Sequence, residues 1–284
     1  MTSTQSKLRE WLTGGLLISD GAWGTELQAR GLPPGAVPDA WNLSNPAAVE
    51  SVARAYADAG SQVILTNTFR ANAIAMEGDL DAINRAGVEI SKRAAAGRAL
   101  VFASIGPTGQ MMLYGQQATD AFAAQAASLA AAGADALLIE TISDVDEARL
   151  AVAAAKVADL PVIASFAFDS GKNKDRTMMG ATPEDVAAAM VEAGADAVGA
   201  NCGVGIEFAA LICARLRAAC DLPLWIKPNA GLPTMQGDSI HYDVTPGFFA
   251  GHYAALRDAG ASFLGGCCGS NPDFIRALVA ARCV

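Results

Sequence analysis

Four segments of the chain share one phrase: "AYADAGSQVILTNTF", "LAAAGADALLIETI", "VEAGADAVGANC" and "LRDAGASFLGGC". Each reads as the end of a helix, a glycine just beyond it that is free to take φ > 0 (Gly60, Gly133, Gly194, Gly260), and then the apolar run of a buried strand. These joints recur roughly every 60 to 70 residues, about twice the ~30 residues of a strand-helix-strand unit, so one further strand is expected inside each interval. The chain supplies them as "GLLISDGA", "ALVFASIG", "PVIASFAF" and "PLWIKPNA". Eight strands result, with Ala-rich helical stretches between most of them and no polar linker.

Strands that are apolar throughout and separated by helices imply a parallel sheet covered on its faces. Eight such units favour a closed (β/α)8 barrel, an α/β fold of one domain over residues 1–284. A two-domain Rossmann arrangement is the alternative, but no G-x-G-x-x-G follows the first strand. The low aromatic content of 6% beside 52% hydrophobic residues suits short helices packed closely on a sheet. With 20 Lys+Arg against 29 Asp+Glu the net charge is −9, and no basic cluster stands ready to neutralise a phosphate backbone, which argues against nucleic acid. The start, "MTSTQSKLREWLTGG", lacks a signal peptide's apolar core, and Gly, Asp or Asn interrupts every apolar run before it reaches membrane-spanning length. A cytoplasmic protein without a membrane partner is expected, and its six cysteines are then thiols or metal ligands.

Chemistry in such barrels sits at the carboxyl ends of the strands. Read in order, those ends are Asp20 and Gly21, Asn67 to Arg70, Gly106 and Pro107, Glu140 and Thr141, Phe168 and Asp169, Asn201 and Cys202, Asn229, and Cys267 with Cys268. Cys213, Cys220 and Cys283 fall instead on helices or the tail, where small buried hydrophobes are the ordinary reading. Cys202 closes the sixth strand and the pair closes the eighth, one strand apart around the rim. Three thiolates converging there make a three-ligand Zn²⁺ site with a fourth position open. Gly265, Gly266 and Gly269 fit this, because neighbours on a regular strand point to opposite faces and both reach one ion only if the backbone turns sharply.

Other readings compete. A vicinal disulfide is strained and out of place in the cytosol. The Gly-rich ends of the last two strands resemble a phosphate cradle, which has no need of cysteines. His241 and His252, placed in a loop and a helix after the seventh strand, lack ligand spacing. Lys227 invites a Schiff base if desolvated, or else a structural ion pair.

Taken together, the motifs resemble the zinc-dependent homocysteine S-methyltransferase family. The matching pieces are "DGAWGTELQARG", "AGSQVILTNTFRAN", "SIGPTGQ", "ETISDVDEA", "GANCGVG", "KPNAGLP" and "GGCCGSNPDFIRAL", in family order across essentially the whole chain. The resemblance implies a (β/α)8 barrel with zinc on Cys202, Cys267 and Cys268, which activates the homocysteine thiol for methylation to methionine. It also implies that Asp20 and Glu140 hold the substrate ammonium. Asn67, Thr68 and Asn201 are read as substrate-orienting or as satisfying buried backbone groups. Family members are commonly homo-oligomers.

The donor in this family is betaine, S-methylmethionine, S-adenosylmethionine, or a methylated cobalamin fed by methyltetrahydrofolate. The chain is similar in places to the homocysteine-binding module of cobalamin-dependent methionine synthases. On that alternative a partner corrinoid protein is required, because no further domain is seen. "TMMGATPEDVA" and "HYDVTP" resemble bacterial proteins described as betaine–homocysteine methyltransferases. Trp41, in "PDAWNLSNP", falls where the betaine enzymes place an aromatic, and a Trp face attracts a quaternary ammonium. Arg70 and Thr141 replace two tyrosines of the animal enzymes, so the aromatic cage is incomplete; Arg70 binds a donor carboxylate or pairs with an acid across the rim. A small onium donor, betaine first, is the expectation. A non-catalytic zinc- and thiol-binding barrel is the alternative from another class.

Overall fold

The structure, a computed structural model, describes residues 2–110, 115–236 and 239–282. All eight expected strands form: β1 (Leu17–Ile18), β2 (Val63–Leu65), β3 (Leu100–Ile105), β4 (Ala136–Ile142), β5 (Val162–Phe166), β6 (Ala197–Gly205), β7 (Leu224–Asn229) and, after an intervening hairpin, β10 (Phe263–Leu264). They pair in parallel in the order β1-β10-β7-β6-β5-β4-β3-β2. A parallel bridge between Ser19 and Val63 joins the two outer strands, supported by the Gln62 N–H donating to the Ile18 carbonyl at 2.7 Å. The sheet is a nearly closed barrel.

Helices fill the crossovers: α2 (Gly24–Gln28), α3 (Trp41–Ser44) and α4 (Pro46–Ala59) after β1; α5 (Leu80–Ala95), α6 (Gln116–Ala131), α7 (Val145–Ala155), α8 (Pro183–Ala193) and α9 (Ile206–Ala219) after β2 to β6; α10 (Pro246–Ala250) and α11 (Tyr253–Asp258) before β10; α12 (Pro272–Ala281) after it. The four joint glycines all take the left-handed conformation, with φ of 96°, 93°, 78° and 97° at Gly60, Gly133, Gly194 and Gly260. A side chain there would be strained, which is why the phrase repeats with glycine. Among the described residues no helix is long and apolar enough to cross a membrane. Cys213 is buried on α9 and Cys220 caps that helix, as read from sequence. Cys283 lies outside the described residues.

Two elements depart from expectation. The polar start forms α1 (Ser3–Trp11), whose Thr2 supplies a capping box. Its Leu8 is fully buried against the first interior side chains of the strands, and Trp11 packs on Phe102 with ring centroids 5.5 Å apart. The amino-terminal end of the barrel is thereby plugged. After β7, a hairpin of β8 (Pro233–Gln236) and β9 (Ser239–Tyr242) stands where a loop was expected. His241 therefore lies on a strand, and His252 lies between α10 and α11 rather than within a helix.

Inside the barrel, side chains alternate with the pleat. The first interior layer is apolar, with Leu17, Phe102, Leu138, Ile163, Ala197, Trp225 and Phe263 in one cluster. The rings of Phe102, Trp225 and Phe263 lie with centroids 5.2 to 5.8 Å apart. Two residues further along the same strands come Ser19, Ser104, Glu140, Ser165, Gly199, Lys227 and Gly265. Gly199 is required by close approach, since a Cβ there would lie 1.8 Å from the Trp225 carbonyl oxygen. Gly199→Ala should accordingly lower unfolding free energy by about 3 kcal/mol or more. Gly24→Ala, whose Cβ meets nothing within 4 Å, should change it little; denaturant unfolding of both variants checks the contrast.

Candidate active site and metal centre

The three strand-end cysteines meet. The Sγ atoms of Cys202, Cys267 and Cys268 all lie within 4.8 Å of one another, with Cys202 and Cys268 at 4.0 Å. Sulfurs each ~2.3 Å from one tetrahedral ion lie about 3.8 Å apart, so the trio is sized to hold one with small side-chain shifts. Hydrogen bonding from the Cys267 and Cys268 thiols holds the Cys202 thiol far below the usual range, and that same interaction pushes the other two up. Cys202 is thus the member poised to carry thiolate, the ligating form, while the other two hold their protons.

Local backbone explains the convergence. Cys202 ends the regular part of β6 with φ 57° and Gly203 follows with φ 63°, where pairing with β7 shifts register between Cys202 and Gly205. At the other segment the Cys267 N–H donates to the Pro228 carbonyl at 2.8 Å and the Cys268 carbonyl accepts from Ala230 N–H at 2.9 Å. The chain then turns at once, with Ser270 N–H donating to the Cys267 carbonyl at 3.1 Å and Gly269 at φ 81°. A Cβ on Gly265 would fall 2.1 Å from Ser19 Oγ, and one on Gly269 would fall 2.2 Å from the Tyr242 ring. The hairpin thus brings Tyr242 over the cysteine pair. Sequence reasoning missed Tyr242 because nothing in "HYDVTP" signals which turn its ring covers.

The carboxylates divide. Asp20 is fully buried; one oxygen is ion-paired with Lys227, and the other accepts from Leu65 N–H and Trp23 Nε1, both at 2.8 Å. Lys227 is equally buried, so it is a structural partner and not the free amine a Schiff base requires. Glu140 has no ion pair among the described residues. Its Oε1 accepts the Ser104 hydroxyl and its Oε2 accepts Asn201 Nδ2 at 3.3 Å. Burial pushes its carboxyl up to about 7, against the pull of Lys227.

Asn67 and Thr68 serve the fold. Asn67 Nδ2 donates to the Pro38 carbonyl at 2.8 Å and to Asn42 Oδ1 at 3.0 Å, while the Thr68 hydroxyl donates to the Ser104 carbonyl at 2.7 Å. Trp41 opens α3, half-buried against the outer core. Arg70 is exposed beyond β2 with no ion pair among the described residues; its backbone N–H is held by buried Asp39 at 2.7 Å. Ser104, Ser165 and Trp23 also escaped sequence reading, since a serine or tryptophan on an apolar strand looks like packing until its partner is known.

The fold and this constellation define a barrel enzyme class with a cluster of three thiols that could hold a metal ion. The chain belongs to the homocysteine S-methyltransferase family, whose sequence model matches residues 17–282. It is similar to the methionine synthases of Mycobacterium leprae (strain TN), 29% identical over 309 residues, and Mycobacterium tuberculosis (strain ATCC 25618 / H37Rv), 29% identical over 305 residues. Those alignments take in 97% and 96% of this chain but only 25% of each relative, so the chain spans about a quarter of their length. Among solved structures it resembles the metallated form of the homocysteine methyltransferase MmuM from Escherichia coli, with 26% identity, TM-score 0.78, and coverage of 96% of this chain and 99% of that one.

Lys227→Met would leave Asp20 charged and alone in the interior. It should cost about 3–5 kcal/mol of stability, whereas the Lys227→Met/Asp20→Asn double variant should recover much of that loss; equilibrium unfolding at neutral pH reads both.

Proposed function

We propose that the protein transfers a methyl group to the thiol of homocysteine, forming methionine, with one zinc ion on Cys202, Cys267 and Cys268. The observation that carries this reading is the convergence of three thiols, with the buried carboxylate of Glu140, without an ion pair among the described residues, bonded to the residue before Cys202, in a barrel of the homocysteine S-methyltransferase family. When bound, zinc at an all-thiolate site supplies an electron-rich centre that keeps an incoming thiol deprotonated at neutral pH.

The chain's own residues do the positioning. Glu140 receives the substrate ammonium, which replaces the solvation that burial has taken from its carboxylate. Asp20 serves indirectly: by engaging Lys227 it keeps that cation from neutralising Glu140. Asn67 and Thr68 fix the segment after β2, and through it the rim on which substrate is held. The expected donor is betaine or another small onium compound. Trp41 offers an aromatic face for a quaternary ammonium and Arg70 an unpaired guanidinium for a carboxylate.

A second reading is favoured by the match to methionine synthases along the whole of this chain. There the barrel is a methyl-acceptor module served by a corrinoid protein. A donor panel with homocysteine, read as methionine formed, separates the two: turnover with betaine or a sulfonium compound supports the first, and turnover only with methylcobalamin or a methylated corrinoid protein supports the second. Homocysteine binding without any turnover would leave a thiol-binding barrel.

Metal analysis of purified protein should give about one zinc per chain. Cys202→Ser should lose both zinc and methionine formation, and retained turnover would overturn the proposal. Because Glu140 is neutral below about pH 7 and an ammonium needs it charged, homocysteine affinity should fall as pH drops through about 7. Glu140→Gln should bind more weakly and show a shallower fall, keeping only the part that comes from deprotonation of the incoming thiol, as followed by calorimetry.

A further inference from the structure

Asn201 stands between the two ends of the proposed substrate site. It immediately precedes Cys202 on β6 and is buried. Its Oδ1 accepts from Thr141 N–H at 2.9 Å and from the Ser165 hydroxyl at 2.7 Å; its Nδ2 donates to Thr141 Oγ1 at 2.7 Å and to Glu140 Oε2 at 3.3 Å. An amide offers two acceptor and two donor positions, so none is left for a ligand. One side chain therefore ties β6 to β4 across the intervening β5.

The backbone on both sides is unusual. Thr141 has φ 62° and Cys202 has φ 57°, and the β4–β5 register breaks between Ile139 and Ile142. A β-branched residue in the left-handed region is strained and persists only where its surroundings over-determine it. Here the surroundings are the Asn201 amide, which grips both the N–H and the hydroxyl of Thr141.

We infer that Asn201 is a positioning residue: it fixes the separation between the Glu140 carboxylate and the Cys202 sulfur and thereby selects the length of the amino-thiol acceptor, homocysteine over the one-methylene-shorter cysteine. This rests on the preceding reading, in which Glu140 takes the ammonium end and the cysteine cluster the thiol end. Only one hydrogen bond and one peptide unit lie between the two anchors. A ligand held at both ends senses that spacing, whereas cysteine satisfies one end at a time.

Two variants test the strut from opposite sides. Asn201→Asp is isosteric and keeps an acceptor for Thr141 N–H and Ser165, but sets a carboxylate oxygen against Glu140. Thr141→Gly relieves the left-handed strain, so the protein stays folded, while removing the oxygen that aims Nδ2. Zinc content, melting temperature, and calorimetric Kd values for homocysteine and cysteine are measured on the zinc-loaded protein. Zinc should be retained; the homocysteine Kd should rise about tenfold in either variant, and that of cysteine should stay nearly unchanged. In a Glu140→Gln background, Asn201→Asp should cost homocysteine little more. Equal losses for both thiols, or full additivity with Glu140→Gln, overturns the role of Asn201 and leaves the methyltransferase reading standing. Wild-type protein that holds zinc yet binds neither thiol overturns that reading and the inference with it.

Discussion

Along each strand of the barrel, two residues separate an apolar interior from a polar one. Trp225 and Lys227, Phe102 and Ser104, Leu138 and Glu140, Ile163 and Ser165 are the same pleat read at successive inward positions. The lower layer is apolar packing, three rings among it, with Trp225 Nε1 its one buried polar atom lacking a partner among the described residues. The upper layer must then satisfy every polar group from within. Ser104, Glu140, Ser165 and Lys227 do so through hydrogen bonds that cross from strand to strand, Ser19 Oγ alone in the layer having no partner among the described residues, and the site is built on those crossings.

The charges in that layer make a small arithmetic. Asp20 and Lys227 cancel each other in full burial. Such a pair adds little net stability over an apolar one, but breaking it is costly. What it leaves behind is Glu140, a carboxylate that feels Lys227 and Cys267 but has no ion pair of its own among the described residues. A buried acid in that condition is pushed toward neutrality until something positive arrives. The arrangement is therefore incomplete as a protein interior, and on the proposed reading an ammonium completes it.

Much of this was legible in the amino-acid order. The Ala-Gly joints specified the strands because only glycine tolerates their left-handed turn, and the strand ends then placed Cys202 and the Cys267–Cys268 pair without coordinates. Glu140 was readable as an acid at a strand end. Its difference from Asp20 was not, because that depends on Lys227, 207 residues away, choosing one carboxylate over the other. The roles of Asn67 and Thr68 turned on backbone carbonyls from Pro38 and Ser104, partners that no spacing rule names. The hairpin and α1 were missed for a different reason: the strands of the one are four residues each and the other is nine residues long, too short to carry the periodicity of a core element.

The plug formed by α1 bears on traffic. With Leu8 and Trp11 seated under the aromatic layer, the barrel is a cup and not a tube, and everything that visits the thiols passes one doorway. On the proposed reading the acceptor sits against Glu140, which is buried. Acceptor, donor and both products would then share that single opening.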